Sequence, residues 1–198
     1  MRVIGILLAA GRGSRFGADK RMAPLRAPAH DVPAGTPLGV AAARNLVAAL
    51  PESIAVVRPG DALSAPLRAA GLRIVECANA DDGMGASLAC GVRATADADG
   101  WVIALADMPW VAPATIAKVT QALAAGADIV APAHAGRRGH PVGFARRHYA
   151  SLSALAGDAG ARRILESNTS CIALIDVEDS GILGDVDRPE DLQRDDRP

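Results

Sequence analysis

Short apolar runs alternate along the chain with longer stretches that have helical spacing. Most of the apolar runs are continuous rather than alternating, which is typical of strands covered on both faces. The predicted strands are residues 3–8, 54–57, 73–76, 101–105, 128–132 and 171–177. The predicted helices, rich in Ala and Leu, are residues 38–50, 62–70, 87–95, 113–125 and 161–167. This alternation predicts a three-layer α/β fold, in which a doubly wound, mostly parallel sheet lies between two layers of helices.

The pattern contains no repeat and no linker, so we expect residues 1–198 to form a single domain. The chain has 198 residues, of which 50% are hydrophobic, enough to bury a sizeable core. Two segments lack any periodic pattern. Residues 26–36 are predicted to be a loop insertion, and residues 193–198 a flexible tail.

Charge and composition exclude several classes of partner. Lys and Arg total 21 against 22 for Asp and Glu, and only 3% of residues are aromatic, so we expect no nucleic acid partner. No apolar run is long enough for a membrane helix, and the first run leads into a glycine-rich turn without a signal-peptide cleavage site. The cysteines are widely spaced and form no CxxC pair, which favours a cytoplasmic protein. They are Cys77, Cys90 and Cys171.

A basic, glycine-rich turn follows the first predicted strand, with the sequence LAAGRGSRFGADK at residues 8–20. Glycines let backbone amides approach phosphate oxygens, and fixed cations neutralise the phosphate charge. The dinucleotide pattern GxGxxG fails because the third glycine comes one residue late. The P-loop pattern fails because no Ser or Thr follows Lys20. The alternative is an ordinary strand-to-helix turn with solvated basic side chains.

This turn resembles the LAAGxGxRxGxxK signature of a nucleotidyltransferase family that includes molybdenum cofactor cytidylyltransferase-like proteins. The matching residues are Leu8, Ala9, Ala10, Gly11, Gly13, Arg15, Gly17 and Lys20. The resemblance implies a Rossmann-like nucleotidyltransferase fold in which the turn wraps a nucleoside triphosphate. It further implies nucleotide binding by Ala9, Ala10, Gly11 and Gly13, and catalytic roles for Arg15 and Lys20.

Two acidic positions are candidates for a Mg²⁺ site. Asp107 ends the fourth predicted strand, where a carboxylate can hold a metal or cap a turn. By resemblance to the family's DxP element, Asp107 is catalytic and binds the metal. The late segment GDVDRPEDL resembles the family's DIDTPEDL. This resemblance implies that Asp187, in preference to Asp185, is the second metal ligand. We expect the carboxylates of Asp107 and Asp187 to approach each other, and we expect Glu190 and Asp191 to belong only to a helix start.

Three further segments resemble elements of the same family. Residues 83–88, GMGASL, resemble a segment that lines the base pocket, which implies nucleotide contacts for Gly83 and Ser87. Ser87 is equally suited to cap the next helix. Residues 139–142 and 157–162 resemble the cofactor-handling branch, which implies that His140 and Arg162 face the acceptor. A histidine in a turn and a solvent-exposed arginine are the alternatives, and Asp158 is suited to cap a helix.

The resemblance implies Mg²⁺-dependent transfer of a nucleoside monophosphate to a phosphorylated acceptor, with release of pyrophosphate. We expect CTP over GTP, because the methyl group of Ala10 stands where guanylyl-transferring relatives have glycine and narrows the base pocket. The expected acceptor is molybdopterin, with a molybdoenzyme as protein partner and residues 26–36 as a flap over the acceptor. The alternatives are another acceptor, such as a sugar or alcohol phosphate, and a non-catalytic nucleotide-binding protein that delivers a cofactor.

Overall fold

The computed structural model describes residues 1–11, Phe16 and residues 19–193, whose strands join in one mixed sheet with helices on both faces. The strands are β1 Val3–Leu8, β2 Ser53–Val57, β3 Arg73–Glu76, β4 Gly100–Leu105, β5 Ile129–His134, β6 Arg137–Arg138, β7 Val142–Ala145 and β8 Ile172–Asp176. The helices are α1 Leu38–Ala49, α2 Ser64–Ala69, α3 Met84–Arg93, α4 Pro113–Ala124, α5 Tyr149–Ser153 and α6 Arg162–Ser167. Short 3-10 helices are Lys20–Met22, Ala80–Asp82, Arg146–His148, Thr169–Cys171, Ser180–Leu183 and Pro189–Gln193.

The sheet confirms the predicted α/β class. Its order is β3-β2-β1-β4-β7-β5-β6, and β8 pairs with β5. The central strand β1 runs parallel to β2 and β4, and its last residue, Leu8, is in register with Val56 and Leu105. The carboxyl ends of these three strands therefore end at one level, where an open parallel sheet binds its ligands.

An antiparallel segment that the pattern did not predict interrupts the parallel order. The strand β7 lies between β4 and β5 and is antiparallel to both, while β6 pairs with the carboxyl end of β5. Between β6 and β7 the chain leaves the ladder at His140, whose N–H donates to the Ile182 carbonyl at 3.0 Å. The same hydrogen bond brings His140 to the segment after β8.

Apolar side chains fill both faces of the sheet, which explains the continuous apolar runs. Along β1, Val3 and Leu7 belong to the cluster on the side of α1 and α4, whereas Ile4 and Ile6 belong to the cluster on the side of α3. Trp101 is fully buried in the second cluster, and its indole N–H donates to the Thr95 hydroxyl at 2.9 Å. None of the described helices is long and apolar enough to span a membrane.

The insertion at residues 26–36 is a loop that shares a small buried cluster with the start of α1. Ala29 and Val32 are 4% and 2% exposed and belong to one buried cluster with Val186. The ring Nε2 of His30 lies 2.9 Å from the Trp110 carbonyl oxygen. The loop therefore packs against the segment between Asp185 and Asp187, and its action as a flap stays a prediction. Of the predicted tail at residues 193–198, Gln193 ends the last 3-10 helix, and residues 194–198 lie outside the described residues.

Candidate functional site

Lys20 lies between the two carboxylates that were expected to share a metal. Its Nζ is 2.8 Å from Asp107 Oδ2 and 2.9 Å from Asp187 Oδ1. Lys20 begins the first 3-10 helix after β1, Asp107 follows β4, and Asp187 comes near the end of the described chain. The expected approach of the two carboxylates is therefore present, whereas their metal stays a prediction.

Backbone contacts hold the two acidic segments together. The Val186 N–H donates to the Asp107 carbonyl at 3.0 Å, and the Val186 side chain is fully buried. One carboxylate oxygen of Asp191 accepts from the N–H groups of Asp187 and Arg188, at 2.9 and 2.8 Å. Asp191 therefore shapes this turn, as expected for an acidic residue in the first turn of the last 3-10 helix.

The charge of Lys20 is stabilised by its partners. Burial lowers the pKa of Lys20, but the hydrogen bonds and charges of Asp107 and Asp187 outweigh burial and hold that pKa above its ordinary value. The side chain is 12% exposed, so this cation is both fixed in place and reachable from a ligand cavity.

Two cavities meet at Lys20. One has a volume of about 550 Å³, the other about 630 Å³, and both are large enough for a small-molecule ligand. Residues common to both linings are Gly11, Lys20, Met84, Leu105 and Asp107. Two ligands bound side by side would therefore have their nearest groups at the pair Lys20 and Asp107.

Small residues and a charged rim line the first cavity. The small side is formed by Ala10, Ala80, Gly83, Ser87 and Ala106, and the charged residues include Arg58, Asp81 and Asp158. We call it the small-residue cavity. Among the predicted nucleotide residues, Ala10, Gly11, Gly83 and Ser87 all lie here.

The start of α3 explains two of these positions. Gly83 has a φ of +116°, and a side chain at that position would collide with Oδ1 of Asp158. The helix begins at Met84, and the Ser87 hydroxyl donates to the Gly83 carbonyl at 3.3 Å. The alternative that Ser87 caps this helix is therefore wrong. Asp158 does not cap α6 either, because that helix has Ala161 at its N-cap.

The second cavity, which we call the basic-apolar cavity, contains only part of the predicted acceptor site. Its lining includes Arg138, His140, Asp185 and Asp187, together with the apolar residues Met108, Ile182 and Leu183. Arg162 lines neither cavity. Its side chain is 79% exposed and pairs with Glu166 at 2.7 Å, because the two residues lie four apart on the same face of α6. The structure therefore does not bring Arg162 to the acceptor side.

His140 offers hydrogen bonds rather than charge. Burial lowers its pKa, although the charges of Asp107 and Asp185 act in the opposite direction. Its Nδ1 is buried, and no described residue bonds to that atom. Because Nδ1 is shielded from solvent, a ligand in the cavity meets only the exposed part of this half-buried, neutral ring.

The glycine-rich turn is only partly within the described residues. Ala10 and Gly11 line the small-residue cavity, whereas Ala9 is 1% exposed and its carbonyl accepts a hydrogen bond from Arg21. Ala9 therefore supports the turn and does not line the cavity. Gly13 and Arg15 lie outside the described residues.

The turn after β2 contributes residues that sequence reasoning did not assign. Arg58 Nε pairs with Asp81 Oδ1 at 3.0 Å on the small-residue cavity, and Asp61 pairs with Arg21 at 2.7 Å. Their position in the sequence could have indicated a role at the site, because this turn directly follows a parallel strand at the carboxyl edge of the sheet.

The donor set fits a magnesium ion that is bound together with a substrate. Asp107 and Asp187 supply hard carboxylate oxygens, and Mg²⁺ is commonly held by one or two carboxylates plus substrate phosphates and water. Within the part of the chain that the structure describes, no three His, Cys, Asp or Glu residues lie close enough to hold a metal alone.

Comparison with known proteins places this geometry in a family. Residues 5–172 match the model of the MobA-like NTP transferase domain. The purine catabolism protein PucB of Bacillus subtilis is 30% identical, with 96% of this chain and 93% of that protein covered. Nicotine blue oxidoreductase of Paenarthrobacter nicotinovorans is also 30% identical, with 97% and 95% covered.

Solved structures extend the likeness to the whole described fold. Rv0371c of Mycobacterium tuberculosis H37Rv is 27% identical with a TM-score of 0.76, and the match covers 98% of this chain and 97% of that one. A complex of Rv0371c with manganese matches with 26% identity and a TM-score of 0.68, with 89% of each chain covered.

Proposed function

Because this chain belongs to the MobA-like NTP transferase family and is a nucleotidyltransferase, we propose that it transfers CMP from CTP to molybdopterin and releases pyrophosphate. The observation that carries the proposal is the position of Lys20, whose Nζ lies between Asp107 and Asp187 where two cavities meet. Within this proposal the protein works in the cytoplasm and passes its product to a molybdoenzyme.

The nucleotide occupies the small-residue cavity. Its base lies against Ala10, Gly83 and Ser87, and its triphosphate extends along Gly11 towards Lys20. Gly13 and Arg15 belong to the same triphosphate site by resemblance. The acceptor occupies the basic-apolar cavity, where Arg138 and His140 contact its phosphate.

The reaction requires no covalent enzyme intermediate. An oxygen of the acceptor phosphate attacks the α-phosphorus, the bond to the β-phosphate oxygen breaks, and pyrophosphate leaves with that electron pair. Negative charge is spread over the phosphates in the transition state, so positioning and a fixed cation do most of the catalysis. Lys20 supplies that cation at the boundary between the two substrates.

Asp107 and Asp187 are the residues that would hold the Mg²⁺. When bound, the ion neutralises triphosphate charge that Lys20 alone does not balance. The manganese complex of Rv0371c supports a divalent ion in this family. In this chain both carboxylates contact Lys20 Nζ, which keeps their two oxygens close together.

Nucleotide choice is expected to depend on Ala10. Its side chain is 3% exposed on the small-residue cavity, so its methyl group takes space that a purine needs. We expect a higher kcat/KM with CTP than with GTP, and a shift of roughly tenfold towards GTP in Ala10→Gly. Ala9→Gly is the matched control, because Ala9 lies on the same turn but does not line the cavity. Faster turnover of GTP by the unmodified protein would contradict this assignment.

Acceptor binding is expected to depend on His140 and not on Arg162. Loss of one hydrogen bond in a pocket costs about 1 kcal/mol, so His140→Ala should raise the acceptor KM by about five- to tenfold. The KM for the nucleotide should stay nearly unchanged. Arg162→Ala is the control, because its guanidinium is exposed and lines neither cavity. Equal effects of the two changes on acceptor KM would remove the basic-apolar cavity as the acceptor site.

The substrates are tested by measuring pyrophosphate release with four nucleoside triphosphates and a panel of acceptors. The panel contains molybdopterin, a sugar phosphate and an alcohol phosphate. Release with CTP and molybdopterin supports the proposal. Release with another acceptor supports nucleotidyl transfer but assigns a different acceptor. Nucleotide binding without any pyrophosphate release indicates a non-catalytic delivery protein.

A further inference from the structure

Arg21 directly follows Lys20 and lines the small-residue cavity, but its guanidinium is bound by other groups of the protein. The guanidinium is 8% exposed and makes four hydrogen bonds. Its Nε and Nη2 donate to the two carboxylate oxygens of Asp19, at 2.7 and 2.6 Å. Its Nη1 donates to Asp61 Oδ2 at 2.7 Å and also to the Ala9 carbonyl.

These bonds join three segments at the carboxyl edge of the sheet. Ala9 follows β1, Asp61 ends the turn after β2, and Asp19 caps the 3-10 helix that begins with Lys20 by accepting from the Arg21 N–H at 3.1 Å. Four of the five N–H donors of Arg21 are thus used by the protein itself. A ligand in the small-residue cavity meets a guanidinium that has little left to donate.

Burial makes this arrangement stiff. Asp61 is 4% exposed, and its other oxygen accepts from the Leu63 N–H at 2.9 Å, which fixes the carboxylate from both sides. Breaking a buried ion pair by removing one partner leaves a charge without compensation, which is costly. The Lys20 backbone therefore has one favourable position relative to β1.

We propose that Arg21 is a positioning residue, whose guanidinium holds the Lys20 backbone against β1 and the Asp61 turn so that Lys20 Nζ stands between Asp107 and Asp187. The proposal deepens the proposed function, since Lys20 is the group through which Arg21 acts. A positioning residue of this kind has its effect through Lys20 and adds nothing once Lys20 is gone.

The first test is a double-mutant cycle on kcat/KM for nucleotidyl transfer. Arg21→Gln removes the charge, and Asp61→Asn removes one of its partners while keeping the shape. A displacement of about 1 Å in a catalytic group can cost on the order of 10²-fold, and we expect a loss of that order for Arg21→Gln. In a Lys20→Ala background the same change should cost no more than about twofold further. Losses that multiply in full would overturn the proposal.

The second test reads the position of Lys20 without catalysis. The chain has two lysines, Lys20 and Lys118, so amine labelling followed by peptide mass spectrometry compares Lys20 with an exposed internal standard on α4. In Arg21→Gln and in Asp61→Asn we expect Lys20 to be labelled about threefold faster or more, because local opening exposes Nζ, while Lys118 is unchanged. Unchanged labelling of Lys20 would overturn the proposal.

Asp128→Asn is the control for a general loss of stability. Asp128 is 16% exposed and pairs with Arg147 and His148 at 2.6 and 2.7 Å, just before β5 and thus at the amino end of that strand. If Asp128→Asn accelerates Lys20 labelling as much as Arg21→Gln does, the effect is general loosening and the positioning role is refuted. If the unmodified protein releases no pyrophosphate, the proposed function fails, and the labelling still decides the role of Arg21.

Discussion

Lys20→Ala is expected to lower turnover by about 10²- to 10³-fold, the typical cost of removing one fixed group that stabilises transition-state charge. Lys20 Nζ contacts Asp107 and Asp187 at the boundary of both cavities, so its loss removes the cation where the two substrates meet in the proposed function. The measurement is kcat with saturating nucleotide and acceptor. Because Asp107 and Asp187 lose their shared partner, the two carboxylates should also repel each other unless a metal is bound.

Lys118→Ala is the control for Lys20→Ala. Lys118 is the other lysine of the chain and lies exposed on α4, outside both cavities. The Lys118→Ala variant should turn over substrate at the same rate as the unmodified protein. Unmodified rates in Lys20→Ala would place the phosphate site elsewhere on the protein.

Asp187→Asn is expected to reduce activity on the order of 10²-fold and to raise the Mg²⁺ concentration that gives half-maximal rate, because it removes the charge of a proposed metal ligand with little change in shape. Asp107→Asn should behave alike, since both carboxylates contact the same Lys20 Nζ. The measurement is the rate as a function of Mg²⁺ at fixed CTP and acceptor.

Asp185→Asn is the matched control for Asp187→Asn. Asp185 lies two residues away on the same segment and also lines the basic-apolar cavity, but Lys20 pairs with Asp187. We expect a small effect on the Mg²⁺ requirement. A larger requirement in Asp185→Asn than in Asp187→Asn would assign the second metal ligand to Asp185.

The sequence predicts the centre of the site because strand ends are local features. Asp107 ends a continuous apolar run, and Lys20 follows the glycine-rich turn after another, so a parallel sheet brings the two to the same edge. The role of Val186 is harder to predict. It is an apolar residue within an acidic segment, and in the structure it is buried and anchors the neighbouring Asp187.

Short antiparallel strands escape prediction for a physical reason. The strands β6 and β7 contain two and four residues, which is too few to show a period, and glycine and proline separate them. The strand β7 lies between β4 and β5 because it pairs with both, and β6 pairs with β5 at the edge of the sheet. The position of His140 follows from that pairing and not from its local sequence.

The direction in which a side chain points does not follow from its local sequence. Arg162 matches the family segment, but it lies one helical turn from Glu166 on an exposed face and pairs there. Arg21 shows the opposite case. A basic residue in a polar turn is normally solvated, whereas the Arg21 side chain is buried and pairs with Asp61, 40 residues away along the chain. No local pattern links Arg21 with Asp61.

The central claim is that nucleotidyl transfer takes place where the two cavities meet at Lys20. Its most direct test incubates the protein with CTP, Mg²⁺ and molybdopterin, and measures pyrophosphate together with the nucleotidylated acceptor by mass spectrometry. The account predicts one pyrophosphate for each acceptor molecule that gains a CMP group, and loss of both products in Lys20→Ala. Pyrophosphate and product formed equally well by Lys20→Ala would contradict it.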